Sequence, residues 1–116
     1  MPLLLNRDDV ARVLTMPMCI AAVEGAFAAL ARGEAIMPQR AAMKVTDHGG
    51  LFLGMPAYLA GGQEALGVKV VTVYPDNPQR HNLATTLGTL MLCDPATGAV
   101  SAIMDAGYLT AVRTGA

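Results

Sequence analysis

Charged residues are scarce in this sequence, and tryptophan is absent. Only 15% of the 116 residues are charged and 53% are hydrophobic, a balance that excludes a disordered or highly solvated chain. The formal net charge of -1 leaves no basic surface for nucleic acid and no polybasic segment for a membrane. The apolar excess predicts a surface buried against another domain or subunit, although a tightly packed monomer is an alternative.

Cysteine is rare as well. Cys19 and Cys93 lie far apart in apolar surroundings, without CxxC or Cys/His ligand spacing. We therefore expect two buried, reduced thiols in a cytoplasmic protein, with neither a disulfide nor a metal site. The opening MPLLLNRDD is too short for a secretory signal, and the apolar stretch 16–31, interrupted by Pro17 and Glu24, falls short of a membrane span.

Several motifs that identify enzymes are missing. The sequence has no GxGxxG, no GxxxxGK[ST], no GxSxG and no HExxH. The chain therefore lacks a recognisable dinucleotide, triphosphate or hydrolase site of its own.

Helix signals come first along the chain. Asn6 is a suitable N-cap for a short helix, and a second helix is predicted over about 17–32, with Gly33 in position to terminate it. One apolar stripe follows the second helix: Ile20, Val23, Phe27 and Leu30. A last helix is predicted from Asp105, as a possible cap, to Ala116, where it stops without room for a complete C-terminal cap. We expect this ending to mark a cut inside a longer sequence.

Strand signals fill the middle of the chain. Two turns are predicted, at 47–50 and at 94–98, where Pro95 and Gly98 favour a hairpin. Five strands are predicted: 41–45, 51–55, 66–74, 86–93 and 100–104. The order of elements predicts an α+β fold, with helices packed on a mixed, largely antiparallel sheet.

Two proline-rich sites are interpreted as turns. Met55-Pro56 is predicted to end a strand on a rigid turn, and Asn77, between Pro75 and Pro78, to be a turn former.

Lys69 lies inside the strand predicted at 66–74 and shares a face with Val71 and Val73. Spacing alone favours an edge lysine that reaches solvent, because most strand lysines are solvated. The functional alternative is a partly buried ammonium that binds a carboxylate or transfers a proton. Burial would lower the pKa of Lys69 and suit it to that role.

Two arginines are candidate partners of Lys69. Arg113 lies in a segment of mostly small and apolar residues, and either a carboxylate within the protein or the carboxylate of a substrate would fit its planar donors. Arg40, alone, is most simply a surface arginine. The three cations would form a strong anion site if they converged, which spacing cannot establish.

The motifs, taken in order, resemble the ornithine cyclodeaminase/mu-crystallin family. Each is weak alone, but six of them in the family's order span nearly the whole chain. They are Pro38-Gln-Arg40, Met55-Pro-Ala-Tyr58, Leu66-Gly-Val-Lys-Val-Val71, Tyr74-Pro-Asp-Asn77, Asp94-Pro-Ala-Thr-Gly98 and Leu109-Thr-Ala-Val-Arg-Thr114.

The resemblance implies that residues 1–116 form an N-terminal domain that binds substrate and dimerises through its sheet. In the family a Rossmann domain, absent from this chain, follows and carries NAD or NADP. The resemblance also implies that Arg40, Lys69 and Arg113 hold a small amino or imino acid. It gives Lys69 a catalytic role, polarising the imine or relaying a proton, and places Thr85 near a position that contacts the cofactor.

One departure from the family narrows the expected chemistry. Ornithine cyclodeaminases resemble Glu-Leu-Met-Pro where this chain has Leu53-Gly-Met-Pro56. The missing carboxylate favours an NAD(P)-dependent cyclic imino acid reductase or alanine-type dehydrogenase. An ornithine cyclodeaminase and a non-enzymatic mu-crystallin-like binding protein are the alternatives.

Overall fold

The computed structural model describes residues 2–61 and 64–115. The helices are α1 (Arg7–Val13), α2 (Met16–Ala31), α3 (Asn77–Arg80) and α4 (Gly107–Gly115). The strands are β1 (Leu3–Leu5), β2 (Ala35–Ile36), β3 (Ala41–Val45), β4 (Gly50–Leu59), β5 (Ala65–Val73), β6 (Thr86–Cys93) and β7 (Val100–Asp105).

All the described strands belong to one sheet. Its order is β1-β7-β6-β5-β4-β2, and β3 pairs with β4 as well. The β1–β7 pair is parallel, and the other pairs are antiparallel. The predicted α+β class and the mixed, largely antiparallel sheet are confirmed.

Local signals explain where the helices begin. Asn6 and Asp9 form a reciprocal capping box at α1, and Thr15 caps α2. The carboxylate of Asp105 accepts a hydrogen bond from the Gly107 N–H (3.0 Å) and so fixes the entry to α4. The predicted end of this last helix, Ala116, lies outside the described residues.

Both predicted turns are present. Gly49 (φ 63°) ends a short 3₁₀ helix over Thr46–His48, which connects β3 to β4. Gly98 (φ 76°) completes the β6–β7 turn and donates its N–H to the carbonyl of Asp94 (2.7 Å). Positive φ at these two positions is accessible to glycine without steric cost.

Two predictions about the strands were wrong. The sheet has seven described strands and not five, because β1 and β2 are too short to give a pattern of their own. The strand β4 continues through Pro56 to Leu59. On that side of β4, pairing with β3 ends at Gly54 and pairing with β2 begins at Tyr58. Pro56 lies between these two ladders, where neither strand is paired with it and its lack of an N–H costs no hydrogen bond on that side.

Asn77 does more than form a turn. It starts α3, its side chain is buried, and its amide donates a hydrogen bond to the carbonyl of Ala84 (3.0 Å). This bond ties α3 to the segment that leads into β6.

The two faces of the sheet differ in what lies on them. The covered face carries the side chains of Leu53, Met55, Lys69, Val71 and Leu90, by strand register, and α4 packs on it. The open face carries, among others, Phe52, Val68, Val70, Leu87 and Met91. None of its described large side chains is fully buried.

The core is small and lies between the covered face and the helices. Its buried apolar residues are Val10, Cys19, Ala29, Val71, Ala102, Ala106 and Val112. The chain exposes 7962 Å², whereas a compact monomer of 12.0 kDa is expected to expose about 6,000 Å². The excess agrees with the prediction of a surface that another domain or subunit covers.

The apolar stripe of α2 does not face the core as its periodicity suggested. Phe27 is 68% exposed, and Ile20 and Leu30 are also exposed, whereas the buried residues of this helix are Cys19 and Ala29. Among the described residues no single helix is long and apolar enough to cross a membrane, and α1 and α2, which meet at 83°, reach that length and composition only as a pair.

Candidate functional site

Lys69 lies on a central strand, so its interpretation as an edge lysine was wrong. The strand β5 pairs with β4 on one side and β6 on the other. Its direct neighbours across the ladders are Met55 and Leu90, both apolar. Lys69 is half-buried, and the side chains of these two ladder neighbours offer no oxygen to its ammonium.

The electrostatics around Lys69 connect it to the two candidate arginines. Burial lowers the pKa of Lys69 from its ordinary value, and the positive charges of Arg113 and Arg40 lower it further. The two arginines approach Lys69 from different elements, since Arg113 lies on α4 and Arg40 directly precedes β3. The fold therefore gathers positive charge from three separate segments in a chain whose net charge is only -1.

Neither arginine is paired with an acid among the described residues, where the single ion pair joins Arg32 to Glu34. Both Arg40 and Arg113 are exposed. Of the two partners left open for Arg113, a carboxylate of the protein is not found among residues 2–61 and 64–115. Three cations that influence one another without a counter-ion among the described residues are an arrangement that would suit an external carboxylate.

Thr110 of α4 is the hydrogen-bond partner of Lys69. The ammonium donates to Thr110 Oγ1 at 3.3 Å. Sequence reasoning did not select this residue, although its place three residues before Arg113 puts both on the same side of a helix. That spacing was the available signal.

Thr85, the predicted cofactor contact, lies outside this cluster. It directly precedes β6, is half-buried, and accepts the N–H of Tyr74 with its carbonyl (2.7 Å). Leu90, which pairs with Lys69, is five residues further along the strand, so Thr85 lies about 16 Å from it. Its contact with a cofactor stays a prediction.

A polar depression lies beside α3, and its lining residues are different from the three cations. Its lining includes His48, Tyr74, Asp76, Arg80 and His81. Within the described part of the chain no three metal-ligating side chains are grouped to hold an ion. Cys19 and Cys93 are both free, and of the two only Cys19 is buried, so the expectation of two buried thiols was half right.

Comparisons with known proteins agree with the fold and the motifs. The model of the ornithine cyclodeaminase/mu-crystallin family matches residues 1–116. The chain is 37% identical to an alanine dehydrogenase of Archaeoglobus fulgidus over 98% of its own length and 34% of that protein. It is 42% identical to a Δ1-pyrroline-2-carboxylate reductase of Bacillus cereus over 78% of its length and 29% of that protein.

A solved structure gives the same result at the level of the fold. The Thermococcus litoralis Δ1-pyrroline-2-carboxylate reductase, in complex with NADH and L-proline, matches with a TM-score of 0.93 and 43% identity. The match covers 97% of this chain and 34% of that one, so the chain spans about a third of the relatives it resembles. By sequence, motif order and fold, the chain belongs to the ornithine cyclodeaminase/mu-crystallin family.

Proposed function

We propose that this chain is the substrate-binding and dimerisation part of an NAD(P)-dependent oxidoreductase that acts on a small amino or imino acid. The observation that supports the proposal is that the charges of Arg113 and Arg40 both act on the half-buried Lys69, while no acid among the described residues pairs with any of the three. Relatives named as pyrroline-2-carboxylate reductase, alanine dehydrogenase and iminosuccinate reductase support it.

In this proposal the arginines hold the substrate and Lys69 handles a proton. The planar guanidinium of Arg113 donates two parallel hydrogen bonds to the substrate carboxylate, and Arg40 adds a second positive charge. Orientation by such a clamp is itself a large catalytic contribution. Because burial and the two arginines lower its pKa, Lys69 releases a proton more readily than an ordinary lysine, and we assign it the proton transfer to or from the substrate nitrogen.

The described residues fit the substrate better than they fit the phosphates of a dinucleotide. They include no parallel strand–helix–strand unit with a glycine-rich turn, the usual cradle for a pyrophosphate. Thr85 remains our candidate for a contact near the nicotinamide. When bound, NAD or NADP supplies the hydride chemistry at the substrate carbon.

The wall beside Lys69 favours a compact, apolar substrate side chain. Leu53 lies on the covered face opposite Val71, next to the pair that Met55 forms with Lys69. A substrate with a second amine finds no carboxylate at Leu53. This observation favours imino acid reduction or alanine-type dehydrogenation over ornithine cyclisation.

The open face is the surface that we propose for the homodimer. It is a broad apolar face without a layer of helices, and the excess exposed area of about 2,000 Å² is of the size that obligate interfaces bury. One solved relative is an archaeal alanine dehydrogenase dimer with bound NAD. The free thiols suit a reducing compartment, and we propose the cytoplasm.

Turnover by the full-length protein tests the proposal. We expect oxidation of NADH or NADPH with pyrroline-2-carboxylate, or with pyruvate and ammonia, and none with ornithine. Loss of the reduced cofactor's absorbance is the readout. The proposal fails if no member of a panel of imino acids, keto acids with ammonia, and ornithine is turned over.

A binding protein without catalysis is the second candidate, because the chain is 34% identical to a ketimine reductase mu-crystallin of Macropus fuliginosus. A carboxylate-binding role would need the same three cations. Calorimetric titration with NADPH and with amino acids separates the two candidates, since binding without turnover in the same preparation would favour the second.

A further inference from the structure

Thr110 holds the one described hydrogen bond of the Lys69 ammonium, at 3.3 Å. The ladder neighbours of Lys69, Met55 on β4 and Leu90 on β6, offer no oxygen from their side chains. The charged groups that act on it are Arg113 from α4 and Arg40 from the segment before β3, and both repel it. A neutral hydroxyl is thus the acceptor that the described fold provides.

The position of Thr110 is fixed by a close contact between β6 and α4. Ala106 is fully buried and donates its N–H to the carbonyl of Gly88 (2.9 Å). Thr110 in turn donates its N–H to the carbonyl of Ala106 (2.9 Å). A Cβ at Gly88 would lie only 3.3 Å from Ala106, so the helix rests directly against the strand backbone.

The flexible stem of a lysine needs such a partner. A four-carbon side chain samples many rotamers, and its ammonium has no fixed direction of its own. A hydroxyl accepts a hydrogen bond from the ammonium and can donate its own proton to the neutral amine. Thr110 is therefore able to hold Lys69 in both protonation states.

We propose that Thr110 is a positioning residue, whose hydroxyl holds the Lys69 amino group in one orientation toward the anion site formed with Arg113 and Arg40. The consequence for turnover rests on the proposed function. The contact between Thr110 and Lys69 does not, and the two are tested separately.

The turnover test uses Thr110→Val, which keeps the shape of the side chain and removes the hydroxyl, in the full-length protein. We expect kcat to fall about tenfold with little change in KM, in line with the loss of one hydrogen bond to a charged group. Thr110→Ser keeps the hydroxyl and restores kcat. The matched control is Thr114→Val on the same helix, where the hydroxyl donates to the carbonyl of Thr110 (2.8 Å) and kcat stays unchanged.

The second test needs no turnover. NMR titration of 15N-labelled lysine amino groups follows Lys69, with Lys44 as a reference on β3. Because the hydroxyl accepts from the charged form, Thr110→Val moves the titration of Lys69 to lower pH, whereas Thr110→Ser and Thr114→Val leave it in place.

The outcomes distinguish the two proposals. If the wild-type protein turns over no substrate but Thr110→Val shifts the titration of Lys69, the proposed function fails and the positioning role stands. If Thr110→Val leaves both kcat and the Lys69 titration at the level of Thr110→Ser, the positioning role is overturned.

Discussion

Both faces of the sheet carry apolar side chains along the central strands, but they differ in what lies against them. On the covered face, α4 presents Thr110 and Arg113 to Lys69, and the ammonium is held among apolar neighbours. On the open face, Phe52 and Leu87 are 38% and 43% exposed, and no helix is packed there. The comparison indicates that a helix packed on an apolar sheet surface can bring a charged residue and a hydroxyl close to a single strand lysine.

The same difference separates binding a small anion from binding a protein. Low-dielectric walls strengthen the field of a few charges, so a small site suffices for a carboxylate. A broad apolar surface binds a partner mainly through the area that it removes from water. Four changes test this division, from the largest expected effect to the smallest.

Removing the arginine fork tests the covered face most strongly. Arg113→Ala is expected to lower kcat/KM about a hundredfold or more, because a desolvated carboxylate loses its bidentate partner. Arg113→Lys should recover only part, since an ammonium lacks the planar fork. Steady-state kinetics measure both, with Arg12→Ala on α1 as the control. If Arg113→Ala leaves kcat/KM unchanged, the covered face is not the substrate-binding site.

A charge on the open face tests the interface. Phe52→Glu is expected to weaken self-association at least tenfold, about 1.4 kcal/mol, because the carboxylate would be desolvated at the contact. Analytical ultracentrifugation gives the dissociation constant. Phe27→Glu on the exposed stripe of α2 is the matched control. If Phe27→Glu dissociates the assembly and Phe52→Glu does not, the partner surface is α2 and the comparison of faces is wrong.

Adding a methyl group at the close contact between β6 and the start of α4 tests whether that contact stabilises the packing of α4 on the sheet. Gly88→Ala places a methyl 3.3 Å from Ala106, and we expect the free energy of unfolding to fall by about 1–3 kcal/mol. Gly54→Ala, on the open face of β4, meets no atom within 4 Å and serves as the control in urea unfolding. Equal effects of the two substitutions would show that α4 does not depend on this contact.

The smallest effect concerns the charge on Lys69 itself. Because the folded state lowers the pKa of Lys69, the fold disfavours the charged form, and this penalty is fully present below the lowered pKa. It disappears as the pH rises past the ordinary lysine value near 10.5. Lys69→Met should therefore be slightly more stable than wild type at neutral pH, with a difference that narrows at alkaline pH.

Thermal unfolding across pH measures this difference, with Lys44→Met as the control. A bound carboxylate should also reduce the difference in stability between Lys69→Met and wild type, because an anion beside Lys69 offsets the repulsion from the arginines. A gain in stability that does not change with pH would mean that the packing of methionine, and not charge, is responsible.

Local chemistry made much of the fold predictable. The cap at Asn6 and the turns at Gly49 and Gly98 depend on residues within a few positions, so the sequence alone identified them. The elements that were missed, β1 and β2, depend on partners far along the chain. A strand of two or three residues has no periodicity by which it can be recognised.

The sequence allowed candidate residues for the site to be selected, but it did not give their geometry. Lys69 and Arg113 were selected by their unusual settings, Arg40 was selected as a third cation that could join them, and the family resemblance then implied a binding role for all three. Strand order could not be obtained from spacing, and it is the central place of β5 that half-buries Lys69. Thr110 was missed because a threonine in a helix has no chemical signature until its neighbour across the fold is known.

The parallel pair of β1 and β7 has a consequence for how the protein is made. Leu3 pairs with Ala102, about a hundred positions later in the chain. At translation rates of about 5–20 residues per second, the first strand waits several seconds for its partner to leave the ribosome. Its leucines, still 59% and 70% exposed at Leu3 and Leu4 in the finished fold, are unprotected throughout that interval. The strand β1 is thus synthesised well before its partner β7, and a chaperone that binds nascent apolar segments would find a target at Leu3 and Leu4 during that interval.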